Sequence, residues 1–324
     1  MKNKYIIAIV LILFVAVILV QYKIYHVSKN NSVTADSGKI LGIKDNPANV
    51  SLKELKIDNL IKIPIRKSKV KDPLIYAKNY ILFEPSSGYV LVEKDSHVQV
   101  PVASTTKIMT AIIVLEKYKL DDVITISNNA ASQIGSDINL RRDEKLTVKD
   151  LMYALLIQSA NDAASALSEN VPGGTTEFVR TMNEKAQFLG MKDTKFKDPA
   201  GLDDTGLSTA FDLAIAFSYA TKNDLFNKII GTEEYTITST DGKWSHNLSN
   251  SNRMIKGDEP LYYSPVIGGK TGFTPDAGHC LVAVANNNGH KLISVILHTI
   301  EEKADSSAKE SRKLLQWGFD NFEF

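Results

Sequence analysis

One cysteine stands in 324 residues, so Cys280 has no internal partner and no disulfide shapes this fold. Its setting, Gly278-His279-Cys280-Leu281-Val282-Ala283-Val284, reads as a buried strand, where a free thiol behaves as a small apolar side chain. The six histidines are scattered and form no cluster with metal-ligand spacing, so no metal and no other cofactor is expected. A net charge of +1 removes the global basic field on which nucleic-acid binding depends, and no nucleic-acid partner is expected. The chain has no internal repeat and no long low-complexity tract. It has no H-E-x-x-H, which disfavours a zinc peptidase, and no G-x-S-x-G elbow, which disfavours a Ser-His-Asp hydrolase.

What is present begins with a long apolar run. Lys2 and Lys4 precede an unbroken stretch from Ile6 to Val20, flanked by Tyr5 and Tyr22. The run alone is short for a spanning helix, which wants about 20 residues, and suits a secretory signal core. Taken from Tyr5 to Tyr22 it can span with tyrosines at both interfaces. The residues after it, Ile18-Leu19-Val20-Gln21-Tyr22, are too bulky for an ordinary cleavage site. The favoured reading is an uncleaved signal-anchor, the alternative a cleaved signal, and both export the rest of the chain. The expected layout is a cytoplasmic tail at 1–4, a transmembrane segment at 5–22, an extracellular stalk at 23–72 and a catalytic domain at 73–324. The stalk is polar and interrupted, with a basic stretch from Lys62 to Lys71. It reads first as a solvated spacer and second as a contact for anionic surface polymers.

Beyond Pro73 the pattern changes. Tyr80 to Phe83 and Tyr89 to Val92 read as a hairpin around Glu84-Pro85-Ser86-Ser87-Gly88. From Ser104 an apolar stripe through Ile108, Ala111, Ile112 and Leu115 reads as a helix. Further helices are expected after Thr147, over 161–170, 175–189 and 209–220, and from Ser306 to Trp317. Strands return at 280–285 and 292–298. Strands at both ends around a helical middle predict an α+β fold with one antiparallel sheet, flanking helices and a mainly helical lobe.

Three short motifs fall in order: Ser104-Thr105-Thr106-Lys107, Ser159-Ala160-Asn161 and Lys270-Thr271-Gly272. The first two are cheap patterns. Ser306 to Lys309 also fits S-x-x-K, and the segments beginning at Ser127, Ser168 and Ser245 also fit S-x-N. K-T-G occurs once. A helix cap followed by an exposed lysine is the bland explanation of the first motif, and a capping pair that of the second. In the chemical explanation, Lys107 returns over Ser104 after three residues and takes its proton, provided that burial lowers the lysine's pKa. Ser159 relays a proton, and Asn161 holds a substrate carbonyl. Lys270 adds positive charge near Ser159. Thr271 binds a carboxylate, and the backbone N–H groups of Ser104 and Phe273 form an oxyanion hole. Glycines at 268, 269 and 272 allow an extended peptide to approach the strand.

S-x-x-K with a Ser/Asn motif and K-T-G is the signature set of penicillin-binding proteins and β-lactamases. The surrounding residues narrow this. Pro101 to Thr110, Ser159 to Ala164, Gly201-Leu202 with Ser208-Thr209-Ala210, and Gly269 to Thr274 with Ala277-Gly278 resemble the low-molecular-mass penicillin-binding proteins, the serine-type D-alanyl-D-alanine carboxypeptidases. The resemblance covers most of residues 75–300. It implies that Ser104 is acylated by the penultimate D-alanine of a peptidoglycan stem peptide, with release of the terminal D-alanine. It implies Lys107 as base, Ser159 in proton transfer, and Asn161, Lys270, Thr271, Gly272 and Phe273 around the substrate. It also implies β-lactam antibiotics as covalent inhibitors. Many members place an arginine before K-T-G for the substrate carboxylate, and here Arg253 is assigned that part. Many also carry a small β-rich domain and an amphipathic anchor after the catalytic domain. Here the chain ends at Phe324, and the N-terminal helix is expected to tether it to the membrane instead. The competing readings are a β-lactamase of the same fold and a non-catalytic wall-binding or β-lactam-sensing protein.

Overall fold

In the strand Ala77–Glu84 nearly every side chain is buried, so neither face of it meets water. A sheet built from such strands needs cover on both sides. The computed structural model, which describes residues 62–324, supplies it. Five antiparallel strands run in the order Val266–Thr274, Gly278–Asn287, His290–Thr299, Ala77–Glu84, Tyr89–Lys94. The period-two alternation of side chains sorts their residues into two cores. Ile81, Phe83, Val282, Val284, Ile293 and Val295 face the helical lobe. Leu82, Leu281, Ala283, Leu292 and Ile296 face the C-terminal helix Ser306–Asn321 through its Ala308, Leu314 and Leu315. The α+β expectation therefore holds, with strands from both ends of the domain in one sheet.

The lobe is organised around the helix Lys107–Lys117, whose residues from Lys107 to Val114 are all buried. Helices Val148–Tyr153, Asn161–Glu169, Gly174–Phe188 and Ala210–Ala220 belong to the same core. Several begin on caps that the sequence displays. The Thr147 hydroxyl accepts from Asp150 N at 3.1 Å, Thr209 from Asp212 N at 3.0 Å, and the Asn223 amide from Phe226 N at 3.1 Å. Each such cap contributes about 1 kcal/mol. The spare S-x-N and S-x-x-K matches resolve into structural duties. Ser127 caps the turn Asn128–Ala131, and Ser168 bonds back to Ser165 O at 3.0 Å. Ser245 pairs across a hairpin with the Thr238 hydroxyl at 3.0 Å, and Lys309 reaches Glu301 at 3.6 Å.

The segment expected as a stalk reaches the folded body before Pro73. Ile65–Arg66 pairs antiparallel with Phe322–Glu323, Lys67 N donates to Asn321 O at 3.0 Å, and the Trp317 indole donates to Lys71 O at 3.1 Å. Backbone pairing at the end of the C-terminal helix is the reason. The basic side chains there are occupied locally, Arg66 by Asp72 at 2.7 Å and Lys67 by Asp320 O at 2.7 Å. The expected transmembrane segment at 5–22, the tail before it and the stalk up to residue 61 lie outside the described residues. Among the described residues no helix is long and apolar enough to cross a membrane.

The C-terminal helix lies on the sheet at Gly318, where a Cβ would stand 2.5 Å from Leu82 Cδ2 and 2.8 Å from Leu292 Cδ1. Gly318→Leu overpacks that contact and is expected to lower unfolding free energy by about 1–3 kcal/mol, read by denaturant titration.

Candidate active site

Ser104 lies in a 3-10 turn, Ala103–Thr106, and the α-helix begins only at Lys107. The turn, in place of the expected first helical turn, has a local cause. Val102 O accepts both the Thr105 N–H at 3.2 Å and the Thr105 hydroxyl at 2.7 Å. Ala103 adopts φ +47, a left-handed conformation uncommon without glycine and frequent at functional sites. In a 3-10 turn, side chains three residues apart eclipse. Lys107 accordingly places its amine 2.9 Å from the Ser104 hydroxyl.

That amine is fully buried and has three oxygen neighbours: Ser104 Oγ at 2.9 Å, Asn161 Oδ1 at 2.8 Å and Ala200 O at 2.8 Å. The Asn161 amide is oriented by its other end, where Nδ2 donates to Ile134 O at 2.7 Å. Asn161 Oδ1 and Ala200 O are acceptors only. A neutral amine has two N–H bonds and one lone pair, so these two acceptors take the hydrogens and the lone pair faces Ser104. Burial pushes the Lys107 pKa down to about 7, against the pull of Asp198 and Asp162 toward the charged form. The condition that the sequence placed on this lysine is met.

The second motif follows a π-type turn, Ala154–Gln158, a distortion common at functional sites. Ser159 leaves it with φ +64 and ψ 30, and Asn161 opens the helix Asn161–Glu169. Asp162 then ties this corner to the segment 134–140, accepting from Ile138 N at 3.1 Å and Leu140 N at 3.0 Å. Asn161 N donates to Ser136 O at 2.7 Å.

The third motif occupies the sheet's edge strand, Val266–Thr274. Lys270 is fully buried and donates to Ser159 Oγ at 2.9 Å and to Thr271 O at 2.8 Å. Burial, and then the neighbouring Lys107 charge, hold its pKa well below the usual lysine range. The Thr271 hydroxyl meets that of Ser251 at 2.5 Å. Gly272 permits the strand to run against the nucleophile turn, since a Cβ there would lie 3.0 Å from Ser104 N.

A cleft of about 460 Å³ joins these elements, lined among others by Ser104, Ser136, Ser159, Ser251, Thr271 and Phe273. Phe273 is 56 % exposed and stacks on His279 with ring centroids 4.4 Å apart. A larger cavity, about 540 Å³ between Lys117, Asp122 and Glu177, holds none of the motif residues. The structure brings together eight of the residues read from the sequence: Ser104, Lys107, Ser159, Asn161, Lys270, Thr271, Gly272 and Phe273. It does not bring Arg253. That side chain sits on the turn Arg253–Ile255, faces Glu259 at 3.8 Å and is not part of the cleft wall, so its assignment to the substrate carboxylate finds no support. Its displacement follows from Asn252, whose side chain accepts from Met254 N at 3.1 Å and turns the chain at that point.

Sequence reasoning missed two contributors. The segment 134–140 carries no motif. The loop from Asp198 does carry a signal, because Asp-Pro-Ala-Gly is turn chemistry. Asp198 Oδ1 accepts from Ala200 N and Gly201 N at 2.6 Å each, and Oδ2 from Leu202 N at 3.0 Å and Asp203 N at 2.8 Å. Gly201, at φ +76, lies so close to the nucleophile turn that a Cβ would fall 2.0 Å from Ala103 O.

A serine paired with a buried lysine, with a second lysine on a sheet edge, defines an active-site-serine acyl-transfer centre whose base is a lysine. Residues 66–300 match the family described as D-alanyl-D-alanine carboxypeptidase, Peptidase_S11. The chain belongs to that family. It is 38 % identical over 254 residues to the D-alanyl-D-alanine carboxypeptidase DacF of Bacillus subtilis (strain 168), covering 76 % of this chain and 63 % of that protein. It is 33 % identical over 219 residues to the D-alanyl-D-alanine endopeptidase of Pseudomonas aeruginosa, covering 67 % of this chain and 69 % of that one. Among solved structures, the Streptomyces K15 DD-transpeptidase superposes with a TM-score of 0.72 at 29 % identity, over 78 % of this chain and all (100 %) of that one. The D-alanyl-D-alanine carboxypeptidase from Mycobacterium tuberculosis H37Rv does so with a TM-score of 0.72 at 28 % identity, over 79 % and 95 %.

Gly201→Ala forces both a left-handed residue and a backbone collision beside the nucleophile. The expected result is a loss of at least about tenfold in the rate of Ser104 acylation by a labelled penicillin, with a lowered melting temperature.

Proposed function

We propose that this protein is a serine D-Ala-D-Ala carboxypeptidase that removes the terminal D-alanine of peptidoglycan stem peptides. The observation that carries the reading is the fully buried Lys107 amine, 2.9 Å from Ser104 Oγ, with Asn161 Oδ1 and Ala200 O as its other two neighbours. Ser104 Oγ attacks the carbonyl carbon of the penultimate D-alanine while its proton passes to Lys107. The carbonyl oxygen, now anionic, is held by the backbone N–H groups of Ser104 and Phe273. Collapse breaks the C–N bond. The proton returns through Ser159, held by Lys270, to the leaving nitrogen, and D-alanine departs. Asn161 binds the peptide, and Thr271 with Ser251 receives the terminal carboxylate. A water then gives a proton to Lys107 and attacks the ester carbonyl; as the C–O bond to Ser104 breaks, Lys107 returns that proton to Ser104 Oγ. β-Lactams acylate the same serine. The edge strand at Val266–Thr274 suits an extended peptide that adds to the sheet.

A β-lactamase of the same fold needs a device for fast deacylation, such as the glutamate-activated water of class A enzymes. Among the described residues no carboxylate lines the cleft, which favours a long-lived penicilloyl ester. Two buried lysines, both with pKa values pushed down by burial, around an oriented serine argue against a purely binding role. The relatives include an endopeptidase, so cross-linked peptide dimers are the second substrate to assay. We place the catalytic unit outside the cell on an uncleaved N-terminal anchor, a reading supported by the apolar run from Ile6 to Val20. Recovery of the intact chain in the membrane fraction is expected, and a soluble, shortened chain would replace the anchor with a cleaved signal.

Wild-type protein is expected to release D-alanine from a peptide ending in D-Ala-D-Ala, and Ser104→Ala to release none and take up no labelled penicillin. Full activity in that variant ends the serine reading, and ester hydrolysis within seconds turns the reading to a β-lactamase. Because the reacting form of Lys107 is neutral and its pKa lies at about 7, acylation is expected to rise with pH through that value. Below it the rate should fall about tenfold per pH unit.

A further inference from the structure

Lys107 can accept a proton from Ser104 only if its own two N–H bonds point elsewhere. One acceptor, Asn161 Oδ1, is a side chain on a buried helix. The other, Ala200 O, belongs to a loop with no regular structure to hold it. Asp198 receives all four successive N–H groups from Ala200 to Asp203 on its two oxygens. The loop is also pinned on either side of that 200–203 stretch. Pro199 O accepts the Thr110 hydroxyl at 2.6 Å, and Asp204 Oδ1 accepts the Thr274 hydroxyl at 2.7 Å. It therefore touches the nucleophile helix and the K-T-G strand at once.

We propose that Asp198 is a positioning residue for Lys107, folding the 198–203 loop so that Ala200 O fixes the amine's lone pair on Ser104 while its own negative charge acts on that amine. The proposal rests on the reading of Ser104 and Lys107 as nucleophile and base. The plainer alternative is that Asp198 only closes a turn, as aspartate often does before glycine. The two differ in electrostatics. Three charged groups bear on the Lys107 amine: Asp198 from the loop, Asp162 from the helix Asn161–Glu169, and Lys270 from the edge strand. Asp198 and Asp162 favour the ammonium, and Lys270 opposes it. A turn-closing residue alone leaves that balance unchanged when it is replaced.

The test is the pH profile of Ser104 acylation by a labelled penicillin, measured on the full chain with Asp198→Asn, Asp198→Ser and Asp198→Glu. Removing the negative charge destabilises the ammonium, so the neutral amine persists to lower pH. The acid limb is expected to move to lower pH by about half a unit or more in the Asn and Ser variants, and to stay near wild type in Glu. The plateau rate is expected to fall about tenfold in the neutral variants and less in Glu, because the carbonyl of Ala200 is no longer held. A lowered plateau with an unmoved limb in the neutral variants reduces Asp198 to a turn residue and overturns the proposal, as do profiles that match wild type. If neither the Asn nor the Ser variant folds while Glu does, the requirement is for a turn-closing carboxylate and the proposal is overturned. Absence of acylation in the wild type strikes the functional reading itself, an outcome distinct from either.

Discussion

Burying one amine constrains the whole arrangement. A lysine removed from water loses the hydration of its charged form, and the free energy of doing so appears as a pKa near the working pH of an acyl-transfer base. Such burial is tolerated only if every hydrogen on the amine finds an acceptor. Lys107 meets its two acceptors on the helix that opens at Asn161 and on the loop of Ala200. These lie far apart in sequence, so the lobe must close around the amine before the base exists.

The second lysine follows from the first. Lys270 is buried on the adjacent strand, and each ammonium disfavours the other. Two such groups cannot both hold a full charge at low cost, so the pair shares protons more readily than either alone would. The bond from Lys270 to Ser159 Oγ places a hydroxyl on that shared path. Lysine, which ordinarily stays charged, thus supplies at Lys107 a base that titrates at about 7.

Much of this was legible in the chain. The alternating runs around Tyr80, Val282 and Leu292 announced strands, and Thr147 and Thr209 announced the helices they cap. The three motifs and the Phe273 that follows the last of them gave eight residues that converge. What failed to show was geometry set by particular hydrogen bonds that side-chain periodicity does not reveal. The 3-10 turn at Ser104 depends on Val102 O, and local propensity alone suggested a helix there. The π-type turn before Ser159 replaces the helix end that the pattern suggested. Arg253 stood at a suggestive distance from K-T-G in sequence, yet the turn at Asn252 carries it to Glu259. Residues 65–72 looked like linker because a two-residue strand has no periodicity to detect.

That short strand sets how the molecule bears load. Ile65–Arg66 is zipped to Phe322–Glu323, and the helix before it lies flat on the sheet. Tension entering through the residues that precede 65 is therefore taken up by the C-terminal end of the chain and spread along that helix. The strand that carries Lys270 lies at the sheet's far side from Ala77–Glu84, with two strands between them. That helix begins at the cleft, where Ser307 is part of the wall, so the closing ladder and the catalytic cleft stand at opposite ends of one helix.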